Sequence, residues 1–301
     1  MSTRPKHVVS VSLGSSTRDV DVEVELLGER VRIQRRGTDG SVAAARALVA
    51  ELDGRVDAIG LGGLDLFLQW MGRRYYFREA RVIAGAAKRT PVVCGAGLKD
   101  TLERRAVAAL EPSIGWRGRR VLMTIAVDRF GMAEALVEHQ ADVHFGDLMF
   151  ALGVPLPLRS MRAVDGLARV LAPALTKMPI AWLYPTGAKQ TKTTTTSRYE
   201  RHYRWAEVVA GDWHAIRRYA PERLDGLTIL TNTTTKADVA FLAAAGAARL
   251  VTTTPRFEGR SLATNLLEAA FVALRGRDLG RSGYEAVLDE LGYAPTEVPL
   301  A

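Results

Sequence analysis

The sequence predicts an α/β protein of two domains. An N-terminal α/β domain of substrate-binding type covers residues 1–112, and a C-terminal Rossmann-like parallel sheet with helices on both faces covers residues 113–301. Three observations predict it. Short apolar runs alternate with segments of helical periodicity along the whole chain, the pattern of strands joined by crossover helices. Residues 119–147 condense that pattern into strand, tight turn, helix and strand, about the length a parallel crossover needs. A stretch rich in Pro and Gly, residues 111–118, interrupts both patterns and reads as a linker.

In the N-terminal half, residues 8–13 alternate as a strand. They end in Gly14-Ser15-Ser16-Thr17-Arg18, a small hydroxyl-rich turn with a cation that suits an oxyanion. Residues 21–27 and 30–36 flank Gly28-Glu29 as a hairpin. Ser41 is a candidate N-cap for a helix over residues 42–52. Residues 56–61 form a strand ending in glycines, residues 67–70 and 74–77 a second hairpin, and residues 78–88 a helix. A short strand, 91–94, leads through Gly95-Ala96-Gly97 into a helix over 98–110. Three strand ends thus carry small-residue turns, and parallel strands would gather them on one sheet edge.

In the C-terminal half, a strand over 121–127 ends in Asp128-Arg129-Phe130-Gly131, before a helix over 132–139 and a strand from 143. Residues 149–157 read as a short helix and loop, 164–175 as a helix and 178–184 as a strand. Residues 191–204 are polar, Thr-rich and basic, and read either as a lid on phosphate or as a solvated loop. Residues 205–219 continue as helix. Strands over 227–230 and 249–252 alternate with helices over 237–245, 262–275 (capped by Ser261) and 284–291.

Composition bounds the class. A 48% hydrophobic and 25% charged chain is globular, and no apolar run approaches the roughly 18 residues of a membrane span. The single cysteine, Cys94, cannot make an internal disulfide, which fits a reducing cytoplasm. A net charge of +8 steers anions, but the basic residues are scattered in pairs, which argues for a small anionic ligand over nucleic acid. A homodimer stays open. No metal-ligand spacing emerges: His139 and His144 fall on different elements.

The turn at 128–131 lies where a strand meets a helix N-terminus, so its amides suit an anion, with Asp128, Arg129 and Gly131 as the contacting residues. Asp147, twenty positions after Val127, sits where an acid can accept from a ribose hydroxyl. The usual G-x-G-x-x-G is absent, and the plainer reading is a βαβ unit whose Asp128 caps its helix. Polar turns at Lys189, Thr254 and Arg256 suit a polyanionic or polyhydroxylated ligand. Lys99 and Asp100 are candidates for acid–base work, with Asp65 a partner for Lys99 from the neighbouring strand end; the bland alternative is a charged helix start.

The order VSVSLGSS, GLGG, GAGLKDTLERRAV, then TNTTT and TTTPRFEGRS resembles bacterial proteins labelled quinate or shikimate 5-dehydrogenase. The resemblance implies NAD(P)-dependent oxidation of a polyhydroxy carboxylic acid. It implies Ser10, Ser12 and Ser15 near the substrate carboxylate, and Asn232 and Thr233 on the cofactor side. Asp147 favours NAD, whereas abundant arginine tolerates a 2′-phosphate, so NAD or NADP stays open. Two other readings remain: a transferase or lyase on a phosphorylated small molecule, and a non-catalytic ligand-binding protein on a Rossmann-like scaffold.

Overall fold

The computed structural model describes residues 4–70, 72–179, 198–257, 260–276 and 279–300. The chain forms two α/β units, each drawn from separated segments. The first comprises residues 1–101, 171–191 and 262–293, and the second residues 102–170, 192–261 and 294–301.

In the first unit, β1 (Lys6–Ser12) is buried along most of its length and pairs in parallel with two neighbours. β2 (Val20–Leu26) and β3 (Glu29–Gly37) form an antiparallel hairpin. Its loop, Leu27-Gly28, has φ of 54° and 72°, the left-handed pair a two-residue hairpin turn requires. Helix α1 (Val42–Leu52) starts at Ser41, whose hydroxyl accepts from the Ala44 amide. β4 (Ala58–Gly62) follows, then a separate hairpin of β5 (Phe67–Trp70) and β6 (Arg73–Tyr76), helix α2 (Arg78–Ala84) and β7 (Val92–Val93). The sheet order is β2-β3-β1-β4-β7, parallel except at β2.

Helix α3 (Ala96–Ile114) extends through residues 111–114, which the sequence reading assigned to a linker. Trp116 explains why the chain stays packed there. Its ring is fully buried and its indole N–H donates to the Val107 carbonyl at 2.7 Å. Burying such a ring outweighs the preference of Pro and Gly for an open loop.

In the second unit, β8 (Arg120–Met123), α4 (Phe130–Glu138), β9 (Asp142–Phe145) and α5 (Asp147–Leu152) form the expected strand–helix–strand unit. α6 (Met161–Leu175) and α7 (Glu200–Trp205) follow. The continuous helix expected over residues 205–219 is not formed. β10 (Val208–Ala210) lies between β8 and a later strand, and α8 (Trp213–Tyr219) starts anew at an Asp212 cap. Three apolar residues suffice for a central strand, and so short a run is indistinguishable from a buried helix turn by periodicity.

β11 (Thr228–Thr231), α9 (Lys236–Ala244) and β12 (Arg249–Thr252) continue the alternation. A short pair, β13 (Arg256–Phe257) and β14 (Arg260–Ser261), places Ser261 in a strand rather than at a cap. The chain then rejoins the first unit with α10 (Thr264–Arg275) and α11 (Gly280–Glu290). A last strand, β15 (Thr296–Pro299), closes the second sheet antiparallel to β12, in the order β15-β12-β11-β10-β8-β9. The fold is thus α/β with two mixed sheets dominated by parallel pairs. Its central strands are buried on both faces, as parallel strands covered by helices must be. Among the described residues no helix is long and apolar enough to cross a membrane. The strand expected at 178–184 lies largely outside the described residues.

Candidate functional site

The carboxyl edge of the second sheet is built by the turns after β8, β10, β11 and β12. The order runs outward from β8 in both directions, to β9 and to β10, so the chain reverses its winding at β8–β10, where open α/β sheets take ligands. Arg129 stands there, 4% exposed. Its Nη1 donates to Glu103, its Nη2 to Asp212 Oδ2 at 2.9 Å, and its Nε lies 3.7 Å from Asp128. Burial weighs against the guanidinium charge, but Glu103, Asp212 and Asp128 together outweigh it and raise its pKa. Asp212 also receives Asn232 Nδ2 at 3.2 Å and caps α8 through the His214 amide at 2.9 Å. Asn232 Oδ1 accepts from the Trp213 amide at 3.2 Å and lies 3.1 Å from the Thr231 hydroxyl. Beside them the hydroxyls of Thr233 and Thr254 meet at 3.1 Å.

Asp147 has a different place from the one expected. It is 2% exposed, and its carboxylate accepts from the amides of Ala126 at 3.2 Å and Val127 at 3.1 Å. Burial pushes it up to about 6, against the pull of those amides. The chain's own carboxylate therefore occupies amide groups of the β8–α4 turn. Gly131 is buried inside α4. Arg256 lies on β13, and Lys189 falls outside the described residues.

The first unit repeats the device. Glu268 on α10 accepts from the amides of Gly95 at 2.5 Å and Leu98 at 3.2 Å, and from the Tyr284 phenol at 2.7 Å. A carboxylate thereby fills the N-terminus of α3. Burial raises the Glu268 pKa, with the Tyr284 hydroxyl and the amides opposing it. The Cys94 thiol nearby is pushed up to about 12 by burial and by Glu268 and Asp65.

Lys99 Nζ lies 3.8 Å from Asp65 Oδ1, both side chains 18% exposed, while Asp100 faces Arg281 at 3.8 Å. Lys99 and Asp100 thus pair with different partners, as helix neighbours about 100° apart must. Ser10 and Ser12 are buried on one face of β1. Ser10 Oγ accepts from Asn265 Nδ2 at 2.7 Å, and Ser12 Oγ from the Gly14 amide at 3.1 Å and Arg35 Nη2 at 3.0 Å. Ser15 caps a short turn through the Thr17 amide at 3.2 Å.

Sequence reasoning passed over Glu103, Asp212, Arg35, Asn265, Glu268 and Tyr284. Asp212 had a local signal, a Gly-Asp pair after an apolar triplet. The others lie within helices or a strand, where only the tertiary fold says what they touch. Among the described residues no group of three or more His, Cys, Asp or Glu is placed to hold a metal ion.

A family model described as Domain of unknown function (DUF8754) matches residues 97–300. The chain belongs to that family. A second model, Domain of unknown function (DUF8753), matches residues 7–94. No curated protein matches the chain. Among solved structures, it is similar to an ABC transporter solute binding protein from Agrobacterium vitis with bound allitol, at 12% identity over 99% of this chain and 97% of that one (TM-score 0.37). It is similar to a galactofuranose binding protein, at 13% identity over 98% and 95% (TM-score 0.38). A third is GanP, a glucose-galactose binding protein from Geobacillus stearothermophilus, at 10% identity over 99% and 98% (TM-score 0.39).

These findings correct the resemblance to quinate or shikimate 5-dehydrogenases. Neither matching family model describes a dehydrogenase, and the acid expected to face a ribose is turned to the amides of Ala126 and Val127 instead. The NAD(P)-dependent oxidoreductase reading, with Lys99 and its acidic neighbours assisting hydride transfer, is withdrawn with it. The physical reason the residues misled is visible at the β8–α4 turn. A strand end, a helix start and an acid twenty residues on recur in the structure, but the acid turns inward to the turn's amides.

Proposed function

We propose that the protein is a non-catalytic binder of a small polyhydroxylated molecule at the carboxyl edge of the second unit's sheet. The observation that carries this reading is the network Arg129–Asp212–Asn232–Thr231, with Thr233 and Thr254 beside it, on turns following four adjacent strands. A sugar hydroxyl is at once donor and acceptor, and carboxylate, amide, guanidinium and hydroxyl groups held in fixed positions complement it. Pinned polar groups lose little freedom on binding, which favours affinity. Arg129 stays protonated and cannot serve as base, and Asp147 is buried against its own backbone, so these groups suit recognition better than proton transfer.

Calorimetry with allitol, galactose and glucose tests the proposal. We expect saturable heats, weakened about tenfold or more by Asn232→Ala, with the Thr233→Val and Thr254→Val variants weakened less and the sugar recovered unchanged. Absence of binding by all three at millimolar concentration, or their conversion to product, rules the reading out.

A further inference from the structure

The turn after β1 holds a second feature, and it does not depend on the polyol reading, which concerns the other unit. A Cβ at Gly14 would stand 2.7 Å from Arg18 Nη2 and 2.8 Å from Arg35 Nη2, so two guanidinium groups close on one point above this glycine. Ser12 Oγ lies 3.2 Å from the same point. We propose that this turn binds the oxyanion group of a small acid, a carboxylate or a phosphate, clamped between Arg18 and Arg35.

Arg35 already pairs with Asp19 at 2.9 Å, and an anion held between the two guanidinium groups would add a second counter-charge at the turn. Arg35 is mostly buried, 14% exposed, and its pKa is lowered first by burial and then by Arg18. The neighbouring carboxylates brace the loop. Asp19 Oδ1 takes the Gly37 amide at 2.7 Å and Arg35 Nη1 at 2.9 Å, and Asp39 takes the Ser16 amide at 2.8 Å. Arg35 Nη1 also donates to the Ser15 carbonyl at 2.9 Å, so the guanidinium plane is fixed from one side. Its Nη2 gives one hydrogen to Ser12 and carries a second. Gly14 lets both guanidinium groups close onto its backbone where a side chain would clash, and the glycines at 62 and 63 bring the next strand end against Ser12: a Cβ on Gly62 would lie 3.2 Å from Ser12 Cβ, and one on Gly63 3.2 Å from the Gly14 amide. Two forked cations over a side-chain-free turn are the geometry of carboxylate and phosphate recognition.

The test uses the full chain at constant ionic strength, titrated calorimetrically with inorganic phosphate and separately with glycolate, against a chloride control. Three variants are compared: Arg18→Gln, Arg35→Gln and Arg36→Gln, the last removing an arginine that pairs with Glu51 instead. We expect saturable binding of at least one anion, weakened about tenfold or more by Arg18→Gln and unchanged by Arg36→Gln. Binding of glycolate alone assigns a carboxylate ligand, and of phosphate alone a phosphorylated one. Arg18 is exposed, so its variant decides the matter even where Arg35→Gln does not fold. The proposal is overturned if neither anion saturates, if Arg18→Gln binds as the wild type does, or if Arg36→Gln weakens binding equally, which would mark a diffuse field.

Discussion

Tyr284 donates its phenol hydrogen to Glu268 Oε1 across 2.7 Å, on the same carboxylate that receives the amides of Gly95 and Leu98. One buried acid thus ties α11 to α10 and to the start of α3. Burial raises the Tyr284 pKa, and the adjacent Glu268 raises it further, so the phenol stays a donor at any physiological pH.

Removing that donor leaves the buried Glu268 carboxylate with one hydrogen bond fewer. Tyr284→Phe is expected to lower unfolding stability by about 1.5–3 kcal/mol, the range for a hydrogen bond to a charged group. Urea denaturation followed by circular dichroism measures it. A loss under about 0.5 kcal/mol would show that the phenol contributes little.

Arg129 bridges Glu103 and Asp212 with almost no exposure. Arg129→Met takes away the guanidinium that Glu103 and Asp212 share, and the expected cost is about 3–5 kcal/mol. The double variant Glu103→Gln with Arg129→Met is expected to recover part of that loss, because one of the two carboxylate charges is gone. Equal stability of the two variants would mean that Glu103 is not the charge Arg129 compensates.

Asp147 sets a pH dependence whose sign follows from its burial. Its pKa rises from 3.8 to about 6 in the folded chain, so the native state holds the proton more tightly than the unfolded state does. Its contribution to stability is complete below about pH 4 and is lost as the pH climbs through about 6, a change on the order of 3 kcal/mol. Asp147→Asn cannot titrate. The difference in unfolding free energy between wild type and variant is therefore expected to shift against the wild type between pH 4 and pH 7. Parallel stability profiles across that range would disprove the assignment.

Several strands and helices are legible in the sequence alone. Residues 42–52, 249–252 and the hairpin around Gly28 carry periodicity and turn residues that decide their structure locally. The α/β class follows from their alternation, and with it the position of the polar turns at carboxyl strand ends. Asp128, Arg129 and Thr254 follow from that logic, whereas Asn232 entered through the resemblance.

What only the tertiary structure decided is which charge meets which. Glu268 and Asn265 stand on α10, far along the chain from β1 and α3, and no local pattern connects them with Ser10 or Gly95. Asp147 looked like a ligand-facing acid because spacing reports distance along the chain, not the direction of a carboxylate. The residues at 208–210 hid as helix because three apolar residues carry no period. Local conformation is fixed by energies that neighbours in sequence supply, while pairing of buried charges depends on desolvation and contacts that arise only once distant segments share one core.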